Sequence, residues 1–209
     1  MLSVARAEHA SGAIGQRVLG LVAQIREDWE IHQRDWTQPG FRALAIHRFG
    51  HWIQSEAGHG LVRGPVRRVL QRLHLMMFRY ARNRYGIELH PATAIGQRVR
   101  FVHQSGIVIS PKAVIGDDCL IRQNVTIGGP SEERWHEAPI LGRRVHVGSG
   151  AVLVGAITIG DGARIGPNAV VMTDVPAFAS VFVVSPRVMA IRHGEPATTM
   201  PRFSRSGSE

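Results

Sequence analysis

The chain has 209 residues, of which 44% are hydrophobic and 20% charged, enough to bury a core and too few charges to leave it disordered. Lys and Arg number 25 against 16 Asp and Glu, giving a formal net charge of +9. There is no run of about 18 apolar residues and no secretory h-region near the start, and the lone cysteine, Cys119, can form neither an intrachain disulfide nor a Cys-rich metal site. These features predict a soluble, cytoplasmic chain.

In chain order, helical periodicity fits residues 14–29, 40–55 and 64–85, with breaks at Gln38-Pro39 and Gly58-His59-Gly60. Residues 63–84, which take in most of the third segment, alternate Arg63, Arg67, Arg68, Arg72, Arg79, Arg82 and Arg84 with Val69, Leu70, Leu73, Met76, Met77 and Tyr80. That spacing predicts an amphipathic helix with a solvated basic face. A basic excess suits nucleic acid, an anionic membrane surface or a phosphate-bearing cofactor. No zinc-finger spacing, aromatic RNA-binding motif or helix-turn-helix signature accompanies it, so neither nucleic acid nor a membrane is expected as a partner.

Beyond residue 86 the pattern changes. From Leu141 aliphatic residues recur every six positions, at Val147, Leu153, Ile159, Ile165 and Val171. A second series of smaller or branched residues follows at Val145, Ala151, Ile157, Ala163, Ala169 and Val175. An earlier block runs Leu89, Ile95, Phe101, then Ile109, Ile115, Ile121 and Ile127, slipping by two between Phe101 and Ile109. A longer interruption covers residues 128–140. A period of six is neither an α-helix nor a simple alternating strand. It matches a short strand plus a turn, repeated as three faces of a coil. The reading is an α-helical domain (1–86), a left-handed parallel β-helix of hexapeptide repeats (87–191) and a polar tail (192–209).

Within this framework GFRALAIHRFGHW, GIELHPATAIG, VHQSGIVIS, IGDDCLIRQNVTIGG and IGDGARIGPNAVVMTDVP resemble the serine O-acetyltransferases of bacteria and plants. The likeness spans roughly Asp28 to Val188 and so includes the helices as well as the repeats. It implies acetyl-CoA as donor, a small hydroxyl compound as acceptor, direct transfer in a ternary complex, and assembly as a homotrimer or a dimer of trimers.

An unactivated hydroxyl attacks a thioester poorly, so a base must take its proton, and histidine as a class titrates near the working pH. His103 interrupts the repeat at the phase slip, and it matches the family's catalytic His in His103-Gln104-Ser105-Gly106-Ile107-Val108. The family orients that His with an Asp, and here the equivalent segment is Glu88-Leu89-His90-Pro91, making Glu88 the expected partner. Asp28 matches the family's acceptor-binding Asp, and Arg134 or His136 stands for the Arg-His pair that grips the acceptor carboxylate. Val102 occupies the position of a family Asp, which leaves acceptors other than serine open. Gly128, Gly129, Ser149 and Pro167 match small residues lining the coenzyme groove, and Arg164 a basic position near its phosphates. Asp117-Asp118, Asp161 and Asp174 read as turn residues, and no metal is expected. Two alternatives stay open: acetylation of a sugar or polysaccharide precursor, and a non-catalytic β-helix that serves assembly.

Overall fold

The computed structural model describes residues 20–55 and 64–184. Three helices come first: α1 (Leu21–Ile31), α2 (Pro39–Gln54) and α3 (Gly64–Tyr85). The helix expected over 14–29 is met from Leu21 and continues to Ile31, whereas residues 14–19, the break at 58–60 and the tail 192–209 lie outside the described residues. Pro39 begins α2 because its fixed φ suits the first helical position, where no N–H is needed, while Gln38 before it stays extended.

Residues 87–184 form the expected left-handed parallel β-helix of about five turns. Its strands are β1 (Ile87–Leu89), β2 (Ala94–Ile95), β3 (Arg100–Val102), β4 (Ile107–Ile109), β5 (Val114–Ile115), β6 (Leu120–Arg122), β7 (Thr126–Gly128), β8 (Ile140–Leu141), β9 (His146–Val147), β10 (Val152–Val154), β11 (Thr158–Ile159), β12 (Arg164–Ile165), β13 (Val170–Val171) and β14 (Ser180–Val181). One face stacks β1, β4, β7, β10 and β13. A second stacks β2, β5, β8 and β11, and the third β3, β6, β9, β12 and β14. All neighbours are parallel, and the ladder keeps Phe101, Ile121, Val147, Ile165 and Val181 in one inward column. Ile109, Ile127, Leu153 and Val171 fill the first face, and Ile115, Leu141 and Ile159 the second. Burying each such side chain contributes about 1.5–3 kcal/mol, which is why the six-residue period is so regular. Cys119 is one of these interior residues; burial pushes its thiol up to about 12, so it stays protonated at neutral pH.

The basic helix differs from expectation on one point. Only His74, Ala81 and Tyr85 of α3 are buried, and Val69, Leu73, Met76 and Tyr80 face outward among the arginines. The reason is geometric: α3 packs on α2, where the His74 ring fills the space left by Gly50, and through its end on β1, and no other element among the described residues covers its outer side.

The helices are fastened to the first coil through α2. The buried Arg48 binds Asp28 of α1 (Nε to Oδ2 2.9 Å) and donates to the carbonyls of Ile95 (2.7 Å) and Gly96 (2.5 Å). His47 and His51 place their Nδ1 atoms 3.1 and 3.0 Å from the carbonyls of His90 and Pro91. At its start α2 abuts β3, where a Cβ on Gly40 would overlap the Phe101 carbonyl.

Candidate active site

The two-residue slip between Phe101 and Ile109 becomes a bulge at the corner that follows β3. His103, Ser105 and Gly106 there all have positive φ (66°, 84° and 67°). In the later coils this corner needs one such residue each, at Asn124, Gly150 and Asn168. A non-glycine residue held there is strained by on the order of 1–3 kcal/mol. The extra length lifts His103 out of the wall, and it is exposed.

His103 stands beside a cavity of about 610 Å³ between the helices and the coil. The end of α1 supplies His32 and Gln33, the start of α2 supplies Gln38, Pro39 and Gly40, and the coil supplies Arg100, Phe101, Val102, Gln104 and Gln123. Three buried polar atoms in this lining have no hydrogen-bond partner: His32 Nε2, Arg100 Nε and Gln123 Oε1. Such atoms are costly to leave unpaired, and three of the cavity's lining residues carry one, just beneath its surface. A second groove, of about 740 Å³, lies on the helices among Ile25, Phe41, Met76 and Met77, but its mostly apolar walls carry no base.

The remaining sequence candidates are distributed as follows. Glu88 points outward from the middle of β1, level with Val108 of β4, and no hydrogen bond joins it to His103. Its charge acts instead on His90. Asp28 is buried against Arg48 and lies outside the cavity lining; burial pushes its carboxyl up from the usual aspartate range, with Arg48 pulling the other way. Arg134 is engaged by Glu137 through two contacts of 2.9 and 2.6 Å. That pairing holds the Glu137 carboxyl below its ordinary range. His136 is exposed on the same loop, edge-on to Trp135. Gly128 closes β7, where a Cβ would make ordinary contact with Ser110 at 3.6 Å, and Gly129 lets the loop's Arg134 and Trp135 backbone approach, where a Cβ would sit 2.5 Å away. Ser149 and Pro167 occupy the corners after β9 and β12, on the edge of the prism that bears His103 and Gln123. Coil spacing puts His103 about 14 Å from Pro167 along this edge. Arg164 begins β12 in the outward column that Arg100 begins.

The structure therefore gathers His103, Ser149 and Pro167 on one edge, and sets Gly128, Gly129, Arg134 and His136 on another. His32, Arg100 and Gln123 were not found from the sequence. Gln123 had a signal, because the first full coil is 20 residues long and places it next to His103. His32 had none, since only the fold of the helices brings it to the coil.

Comparison with known proteins places this geometry. A serine acetyltransferase of Helicobacter pylori (strain J99) is 36% identical over 161 residues, 77% of this chain and 85% of that protein. The chain belongs to the serine acetyltransferase family. The bacterial transferase hexapeptide (six repeats) model matches residues 138–173. The serine acetyltransferase of Synechococcus elongatus is 38% identical over 152 residues, 72% of this chain; the chain spans only 57% of that longer protein. The structure of soybean serine acetyltransferase complexed with serine superposes with a TM-score of 0.60 at 30% identity, covering 77% of this chain and 64% of the soybean one. The Brucella abortus serine acetyltransferase in complex with coenzyme A shares the fold, with a TM-score of 0.63 at 24% identity over 78% of this chain and 65% of that one. Among the described residues no helix is long and apolar enough to cross a membrane.

Proposed function

We propose that this chain transfers the acetyl group of acetyl-CoA to the hydroxyl of L-serine, with His103 as general base. The observation that carries the reading is His103 itself, raised on a strained bulge beside a polar cavity in a chain of this family. In the reaction the His103 imidazole takes the hydroxyl proton as the oxygen attacks the thioester carbonyl. The tetrahedral intermediate then expels the coenzyme thiolate, which recovers that proton from the imidazolium. No acyl-enzyme is required, in keeping with a Cys119 thiol that is buried in the core and protonated. Glu88 is proposed to orient His103 once substrates and a neighbouring chain close the site.

For the coenzyme, the edge bearing Ser149 and Pro167 gives a narrow track from His103, with Arg164 placed to meet a phosphate and Gly128 and Gly129 of a neighbouring chain forming the other wall. This arrangement supports assembly as a homotrimer, in which His136 also keeps a place near the acceptor. The test is thiol release from acetyl-CoA by the purified chain with L-serine, set against sugars and other hydroxyl compounds. Saturable release with serine, lost in His103→Ala while acetyl-CoA affinity is kept, is expected. Unchanged turnover in that variant removes His103 from the role of base, and release with a sugar alone overturns serine as acceptor.

A further inference from the structure

The family's expected carboxylate grip on the loop is not free in this chain, because Arg134 already lies against Glu137. A different cation lines the cavity. Arg100 lines the cavity beside His103, and its Nε has no partner. No ion pair joins Arg100 to an acidic side chain among the described residues, and no acidic side chain lines the cavity. An unpaired guanidinium fork next to the base is suited to a planar carboxylate, which it can bind through two parallel N–H groups.

The two other orphaned atoms have a definite polarity. His32 Nδ1 lies 2.6 Å from the carbonyl oxygen of Asp28, which can only accept, so Nδ1 carries the ring proton. Burial and the nearby charge of Arg100 both lower the pKa of His32 and keep the ring neutral. Its Nε2 is thus a lone pair, only 2% of the residue being exposed, and Gln123 Oε1 is a second acceptor. The residues of the cavity wall thus carry one cationic donor and two neutral acceptors, which a small side-chain rotation would bring to an occupant.

We propose that Arg100 holds the carboxylate of the acceptor while His32 Nε2 and Gln123 Oε1 accept hydrogen bonds from its ammonium or hydroxyl, making the acceptor a small hydroxylated carboxylic acid. The proposal rests on the acetyl-transfer reading above and names the residues that choose its acceptor. It also explains how an amino acid can be seated with Val102 where the family has an Asp: the ammonium meets neutral acceptors and its charge is balanced within the zwitterion.

The experiment compares L-serine with L-serinamide, which keeps the hydroxyl and replaces the carboxylate, in thiol release from acetyl-CoA by the full chain. The parent should prefer serine by about 10–100-fold in kcat/KM, the range of a charge-assisted hydrogen bond. Arg100→Gln should bring that ratio close to one, Arg100→Lys should keep part of it, and neither should change the KM for acetyl-CoA. His32→Phe should raise the KM for serine about 5–10-fold, the loss of one neutral hydrogen bond. A preference that survives Arg100→Gln overturns the assignment while leaving acetyl transfer standing. Should the parent release no thiol with serine, titration calorimetry with D-glycerate and its amide decides the matter. Carboxylate-dependent binding lost in Arg100→Gln upholds the site although serine transfer has failed, and binding indifferent to the carboxylate overturns it.

Discussion

His47 shows how the fold constrains a single titratable group. It is buried in α2 with Arg48, His51 and His74 around it, and burial first, then the Arg48 charge, lowers its pKa well below the ordinary histidine value. His32, His74 and His90 are lowered as well, each chiefly by burial. In the unfolded chain these rings take up protons near pH 6.5, while the folded chain resists until lower pH. Between those points the unfolded state binds more protons, so stability rises with pH there and is lost on acidification below about 6.5. The melting temperature should therefore fall between pH 7.5 and 5.5, and His47→Gln should flatten that fall; a variant with the parent's pH slope would show that His47 does not contribute to it. His103 is exposed and sits on a strained bulge, and backbone strain of this kind clusters at functional sites. Glu88→Gln is expected to slow turnover less than His103→Ala does, as befits an orienting group, and a rate equal to the parent's would dismiss it from that role.

At the scale of elements, one buried ion pair and one close approach are among the contacts that hold the helices to each other and to the coil. Removing one partner of a buried pair leaves the other charge uncompensated, at a cost of about 3–5 kcal/mol. Asp28→Asn should accordingly lose about that much in urea denaturation, since Arg48 would keep only the carbonyls of Ile95 and Gly96. Gly40→Ala should cost about 1–3 kcal/mol, because a methyl there meets the Phe101 carbonyl of β3 and not a side chain that can turn away. Neither contact could be read from the sequence, where Asp28 drew notice only through its match to the family's acceptor-binding Asp. The coil was legible because its inward column repeats one physical demand, an aliphatic residue every sixth position, and Leu141, Val147 and Leu153 all meet it from inside. His103 was legible because it breaks that repeat. Arg100 was not, since an outward strand position carries no periodic constraint and only the cavity in front of it gives it meaning. His32 belongs to the same class, its place being set by a turn in which Gln33 and Arg34 both take positive φ.

For the whole molecule, the distribution of the proposed coenzyme residues is what the proposed trimer has to account for. The edge with His103, Ser149 and Pro167 and the edge with Gly128, Gly129 and the 129–139 loop are different corners of one prism, so a single chain cannot present both to one ligand. Two chains set edge against edge can. The outer surface is suited to such contact: Val108, Val152 and Val170 share an outward column on the face between these edges, and the exposed Met172 stands at its margin. Exposed apolar side chains gathered on one face mark interaction surfaces. Light scattering should give a particle of three 23.0 kDa chains, about 69 kDa, or a multiple of it. Placing Asp at both Val108 and Val170 puts charge on the face while leaving the inward Ile109 and Val171 in place, so the coil should still fold, as its circular dichroism would report. That variant is expected to run as a 23.0 kDa monomer with acetyl transfer reduced at least 100-fold, the scale on which a misplaced half-site is felt. A parent that is monomeric and fully active would refute the composite site, because every residue that binds coenzyme would then have to lie on the His103 edge alone.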